Sequence, residues 1–294
     1  MKQPSYILVV NGTKVRRPVF LLGAPHSGVP EIARALSRAP GFHLAAGSSG
    51  VLDTVYAVAR RPSLAQERAA GTANLLRDAF AEAWQLTPLT CPRCPGPGAR
   101  VPARASGEPC EHSAQAHRYG DASPDLLYSA TVLHTAFPDA LFVQVIRDGR
   151  DVVAEMLEDE RVLALLRPGL VKADGELPNH FFGLEDETDL EAFRKGSEAT
   201  RCAMRWRGAV RMSAALRRSI GSEQLLTLRY EDVYGGEVET AARLREFTGA
   251  RVSASELMTT RSWRVGSWRD RLARNQHSDV LETAGVELSR LGYL

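Results

Sequence analysis

The sequence predicts an α/β fold of the P-loop-like, three-layer kind, with a central parallel sheet flanked by helices. Three observations predict it. Two continuous apolar runs each feed a helix through a loop, a third such run precedes an amphipathic helix, and 44% hydrophobic with 24% charged residues in a 294-residue chain is enough for a sizeable core. Lys plus Arg number 37 and Asp plus Glu 35, a formal net charge of +2. That balance excludes a polyanion-binding tail and an acidic disordered chain, so neither nucleic acid nor a membrane is expected as a partner. No apolar run approaches the roughly 18 residues of a membrane span. The N-terminus MKQPSYILVVNGTKV has no small-residue cleavage site, and the chain reads as soluble and cytoplasmic.

Residues 17–40, RPVFLLGAPHSGVPEIARALSRAP, read as strand, loop and helix, with Ile32, Ala35 and Leu36 on the buried helix face. Residues 87–119 are dense in Pro, Gly and Cys and break all periodicity, marking an insertion ordered by something other than a core. The second unit has a strand at 141–146 and a helix from about Gly149. Residues 167–189 read as a loop or lid. Helical periodicity returns over 196–220, where six arginines suggest a solvated face. A third strand is expected at 224–230 and a helix at 238–248. With no internal repeat, residues 1–294 are read as one α/β domain carrying a zinc-binding loop at 87–119.

Gly23-Ala24-Pro25-His26-Ser27-Gly28 has the G-x-x-x-x-G spacing of a phosphate loop between a strand and a helix. Backbone N–H groups and the helix dipole make an anion site there. A nucleoside-triphosphate loop continues with Lys and Ser/Thr, whose hydroxyl holds magnesium; here Val29 and Pro30 follow. The pattern therefore predicts an anion cradle without magnesium, against the alternative of a Gly-rich turn with no ligand.

The segments PVFLLGAPHSG, YGDASPDLLYSATVLHTAFPDALFVQVIRDGRDVV, RWRGAV, LRYEDV and VGSWRDRL occur in that order. In them the chain resembles the sulfotransferases that use 3′-phosphoadenosine 5′-phosphosulfate (PAPS), in particular the bacterial and tyrosylprotein branch. The resemblance implies that Pro25, His26, Ser27, Gly28, Val29 and Pro30 hold the 5′-phosphosulfate. It implies that Arg147 holds the 3′-phosphate by bidentate charge-assisted bonds. Arg150 is then structural, Trp268 and Arg269 lie near the cofactor, and Tyr230-Glu231-Asp232 serves packing and capping.

Four positions depart from that family pattern. His26 stands for the loop's usual Arg or Lys, and Ala122 replaces the lysine of a Gly-Asp-Lys-Thr/Ser-Pro stretch, here Gly120-Asp121-Ala122-Ser123-Pro124. The segment from Ala39 to Ser49, including Ser48, lacks the family's carboxylate base. His43 or Asp53 could take that role, or each could be ordinary. Glu155 stands where the family places a serine on the 3′-phosphate. A carboxylate about 4 Å from a phosphate charge costs on the order of 4 kcal/mol at an effective dielectric near 20. Glu155 therefore turns away, is neutralised by Arg147 or Arg150, or excludes the nucleotide. Asp151, Glu155 and Asp159 also fit a solvated acidic helix face.

Cys91, Cys94 and Cys110 with His112 form a C-x2-C-x15-C-x-H pattern close to structural zinc sites, His117 being a competing fourth ligand. Reduced surface cysteines and a redox pair are the alternatives, whereas Cys202 reads as core. The expected activity is sulfuryl transfer from PAPS to a hydroxyl of a small-molecule acceptor. Its alternatives are an impaired homologue acting as a binding or scaffold protein, and an enzyme of another anionic substrate.

Overall fold

The computed structural model describes residues 7–88, 91, 94, 109–171, 175–235, 238–257 and 264–294. A short antiparallel hairpin pairs β1 (Val9–Val10) with β2 (Thr13–Lys14). The main sheet contains β3 (Val19–Gly23), β4 (Phe42–Ala45), β5 (Arg118–Asp121), β6 (Leu141–Ile146) and β7 (Leu225–Arg229). Its order is β4-β5-β3-β6-β7 and every pairing is parallel. Helices cover both faces, which gives the predicted three layers.

The apolar runs behave as a doubly covered sheet requires. All six residues of β6 are buried, and β3 is buried over Val19–Leu22. Phe20 and Leu22 pack on one face with Phe80, Trp84 and Phe142, while Val19 and Leu21 meet Ile32, Leu36 and Leu244 on the other. The helices at Gly149–Met156 and Val238–Thr248 occupy the predicted positions. Tyr230, expected to end a strand, instead opens the short Tyr230–Tyr234 helix.

The arginine-rich segment forms the Glu198–Ser219 helix, but its face is not solvated as expected. Arg205 and Arg207 are buried and pair with Asp125 and Asp189, and only Arg217 and Arg218 are exposed among the six. The arginines are retained inside because each guanidinium also donates to backbone carbonyls, Arg205 to Phe181 and Arg207 to Gly183. Residues 167–189 are less lid-like than expected. Phe181, Phe182 and Leu184 lie in a core cluster with Trp206, and only 172–174 fall outside the described residues. Within 87–119 the described part includes a 3-10 helix at Glu111–Gln115 and the start of β5; residues 89–90, 92–93 and 95–108 lie outside the described residues.

Candidate active site

The carboxyl ends of β3, β5 and β6 open into a cleft of about 780 Å³, the place where an open parallel sheet offers loops to a ligand. Pro25, His26, Gly28, Val29 and Pro30 line it, together with Ala122–Leu126, Arg147, Glu155, Asp159, Arg205, Tyr230 and Arg264. Val162, Leu165 and Leu166 supply an apolar wall.

The predicted phosphate loop joins β3 to the Val29–Arg38 helix. Gly28 caps the Val29–Arg38 helix at φ 103°, with no side-chain cap; the Glu31 amide donates to Gly28 O at 3.2 Å, and the Val29 amide faces the helix N-terminus. Pro30, in the first turn, loses no bond because an N–H at that position lies ahead of any i−4 carbonyl of the helix. Ser27 is buried beneath Gly23, and its Oγ has no hydrogen-bond partner among the described residues. Alone among Pro25–Pro30 it does not line the cleft, so the predicted contact of Ser27 with a ligand is not formed in this arrangement. Gly28 is required twice over, since a Cβ there would lie 2.2 Å from the Tyr230 ring. Gly28→Ala is therefore expected to cost about 2 kcal/mol or more of folding stability, read as a lower denaturation midpoint. An unchanged midpoint would show that the loop relaxes freely.

Arg147 sits at the end of β6 as predicted, 2% exposed, but its guanidinium is already engaged. It donates to the carbonyls of His26 (2.8 Å) and Arg264 (2.9 Å), stacks on Tyr230 and meets Glu155 Oε1 at 2.9 Å. Its Nε is buried without a partner among the described residues. Glu155 also meets Arg264 at 2.7 Å, His26 Nδ1 at 3.4 Å and Arg271 at 3.9 Å. Burial alone would raise its pKa, but His26, Arg147 and Arg264 hold it down to about 2. Of the three outcomes considered for Glu155, neutralisation is the one observed, by Arg147 and two arginines from the C-terminal region. Arg150 takes no part; it pairs with Asp148, donates to Tyr293 O and stacks on Trp268.

The solvated acidic face is not found. Asp151 is buried and accepts from the backbone N–H groups of Gly266 and Trp268, fastening the C-terminal segment to the Gly149–Met156 helix. Asp159 caps the Glu160–Leu165 helix through Oδ1 and meets His26 Nε2 through Oδ2 at 3.0 Å. His26 thus lies between two carboxylates, with φ 60°.

Four candidates lie elsewhere. His43 points to the opposite side of β4 from Leu44 and lines a separate cavity beside Cys91 and His112, where burial lowers its pKa. Asp53 is exposed on the Ser49–Arg60 helix, beside Tyr56 and Arg60. Neither reaches the cleft. Trp268 stacks on His277 at 4.8 Å and beneath Arg150, so its ring is occupied. Arg269 is exposed and turned onto Trp268 and the Gly266 carbonyl.

Sequence reasoning missed Arg264, Arg271 and the pairing role of Asp159, which depend on how the C-terminal segment folds back. It also passed over Asp121, fully buried at the end of β5, whose Oδ1 accepts from Ser123 N while Oδ2 has no partner among the described residues. Burial raises its pKa to about 7, partly opposed by Ser123. The Gly-Asp-Ala-Ser-Pro run was the available signal.

The cysteine motif assembles as predicted. One ligand atom from each of Cys91, Cys94, Cys110 and His112 lies within 4.8 Å of the others, and His112 Nδ1 is 3.7 and 3.4 Å from the Cys91 and Cys94 sulfurs. A zinc tetrahedron with bonds of about 2.0–2.3 Å has edges of roughly 3.5–3.8 Å, so the donor set fits. His117 packs on Gly41 and bonds Gln115 O, leaving His112 as the fourth donor. Cys202 is core, its thiol pushed up to about 12 by burial.

Residues 18–163 match the sequence model of the sulfotransferase family. The sulfotransferase domain of the Synechococcus PCC 7002 olefin synthase is 12% identical over 97% of each chain, with a TM-score of 0.52, and shares the fold. A sulfotransferase from Alicyclobacillus acidocaldarius is 13% identical over 94% of each chain, at a TM-score of 0.47. Sulfotransferase STF1 from Mycobacterium tuberculosis is 18% identical over 84% of this chain and 71% of its own, at 0.41. Comparison with curated proteins gives no match.

Proposed function

Because residues 18–163 belong to the sulfotransferase family, we propose that the chain is one α/β domain that moves a sulfuryl group from PAPS to a hydroxyl of a small-molecule acceptor. The observation that carries the reading is the Gly28-dependent loop, which has no side-chain cap and lines the cleft with Pro25, His26, Val29 and Pro30 at a helix N-terminus. PAPS supplies an activated sulfuryl group on a phosphate leaving group. The acceptor oxygen forms the new S–O bond, the bond from sulfur to the bridging phosphate oxygen breaks, and the hydroxyl proton leaves.

The chain's residues divide that work. Loop N–H groups hold the leaving phosphate as its charge grows. His26, part-exposed and fixed by Asp159, faces the same cleft, and the pair receives the acceptor's proton. Arg147 answers the 3′-phosphate once Glu155 yields it. Val162, Leu165 and Leu166 pack on the acceptor's apolar body. The reading includes a structural zinc at Cys91, Cys94, Cys110 and His112, which fills all four positions and leaves no open one for the reaction. Reduced cysteines suit a cytoplasmic location. Among the described residues no helix is long and apolar enough to cross a membrane.

The test is calorimetric titration with the desulfated product, 3′-phosphoadenosine 5′-phosphate (PAP), followed by an acceptor screen. Binding at about 10 μM or tighter is expected, a free energy near 7 kcal/mol. His26→Ala and Asp159→Asn are expected to lose transfer by roughly a hundredfold or more while PAP affinity changes little. No binding at millimolar PAP overturns the reading. Binding without transfer to any acceptor favours the second reading, an impaired homologue that binds nucleotide, to which the Glu155 clamp on Arg147 and Arg264 already points.

A further inference from the structure

We propose that the metal held by Cys91, Cys94, Cys110 and His112 is the staple that orders strand β5 and, through it, the 122–126 wall of the cleft. The inference rests on the zinc reading of the cluster and assigns that ion a task at the opposite end of the strand.

The four donors come from two arms of the chain. Cys91 and Cys94 follow the Ala69–Ala83 helix, whereas Cys110 and His112 open the segment that enters β5. Between His112 and Arg118 the regular structure is only the five-residue 3-10 helix at Glu111–Gln115. The Cys110 amide donates to the Leu86 carbonyl at 2.7 Å, drawing the two arms together. Cys91 and Cys110 are buried in the same apolar cluster as Trp84 and Tyr119. With zinc, the three sulfurs and the imidazole become ligands of one tetrahedron and tie the two arms together.

From that knot the order runs along the backbone toward the cleft. His117 and Arg118 both donate to the Gly41 carbonyl, at 3.0 and 3.1 Å, which sets the register of β5 against β4. Trp84 Nε1 donates to Gly120 O at 2.9 Å. Past the end of β5, the Ala122 amide donates to Ala45 O, the Ser123 amide to Asp121 Oδ1, and the Gly47 amide to Ser123 Oγ. The cleft wall begins at Ala122. Since β5 is only four residues long, roughly 13 Å, disorder at its entry reaches its exit within one strand.

The experiment uses the full chain purified without chelators. Zinc is first counted by elemental analysis, with one ion per chain expected. The metal is then removed with a chelator and restored with zinc chloride, and hydrogen exchange is followed by peptide mass spectrometry in each state. Exchange over 110–126 is expected to rise by roughly tenfold or more on removal and to recover on restoration, while β6 stays protected. Cys94→Ser, at the least buried sulfur, should reproduce the metal-free pattern. Zinc near zero per chain overturns the zinc reading and the inference with it. Zinc present, with exchange over 118–126 unchanged by its removal, or with β6 loosening equally, overturns the staple while leaving the zinc reading intact. The readout does not depend on nucleotide binding or transfer.

Discussion

Glu155→Gln is expected to do two opposed things: destabilise the free protein and tighten its grip on PAP. The carboxylate is 5% exposed and lies within 4 Å of the His26 ring and of cationic nitrogens from Arg147, Arg264 and Arg271. Removing the carboxylate that meets the buried Arg147 guanidinium is expected to cost about 3–5 kcal/mol. The pH dependence has a definite sign. The folded-state pKa of Glu155 is depressed from 4.5 to about 2, so its contribution is present in full above pH 4.5 and is lost as pH falls through about 2. The amide variant should lack that acid transition. Arg147 then lacks its carboxylate, and like-charge repulsion on the order of 4 kcal/mol is gone from the place where Arg147 would meet a phosphate. PAP affinity is expected to rise by roughly tenfold or more, and the thermal shift on PAP addition to exceed that of the parent. Calorimetry and a thermal scan read both effects, and Glu155→Ser checks that the gain comes from lost charge. Weaker PAP binding by both folded variants would show that Glu155 supports the nucleotide rather than competing with it.

How far the sequence disclosed this arrangement depends on the range of the interaction concerned. Strand β6 and the Gly149–Met156 helix were legible because an unbroken apolar run entering a helix is a local signal. The strand–loop–helix turn at Gly23–Gly28 was legible for the same reason, and so was the cysteine cluster, whose spacing suits a tetrahedron. Strands β4 and β5 were not, being four residues each, with β5 preceded by the insertion. His43 was chosen for its closeness in sequence to the first helix, but the two-residue alternation of β4 turns it toward Cys91 and His112. Burial of Arg205 and Arg207 depends on partners 80 and 18 residues away. The charge conflict at Glu155 could be read from the sequence, yet two arginines that relieve it, Arg264 and Arg271, stand more than a hundred positions along the chain. Their approach is organised by Asp151, whose two oxygens hold the turn at Gly266–Trp268.

The second large effect is expected at Asp121, with the opposite sign of pH dependence. Its carboxyl is fully buried at the end of β5, with Oδ1 occupied by the Ser123 amide and Oδ2 unpartnered among the described residues. Desolvation raises the pKa from 3.8 to about 7, so between those values the folded chain holds a proton that the unfolded chain has released. Stability therefore falls as pH rises through that window, and above pH 7 the ionised group costs up to about 4 kcal/mol relative to its neutral form. Asp121→Asn keeps the oxygen that accepts from Ser123 and cannot ionise. It is expected to raise the denaturation midpoint clearly at pH 8 and much less at pH 5, flattening the pH profile between them. The retained turn should leave Ser123 Oγ on Gly47 N and the cleft wall in place, so PAP affinity is expected to change less than threefold, under about 0.7 kcal/mol. Denaturant titrations of both proteins at the two pH values decide the matter. Equal destabilisation at both would mean that the carboxylate is stabilised where it sits, by a partner that the Asn side chain cannot replace.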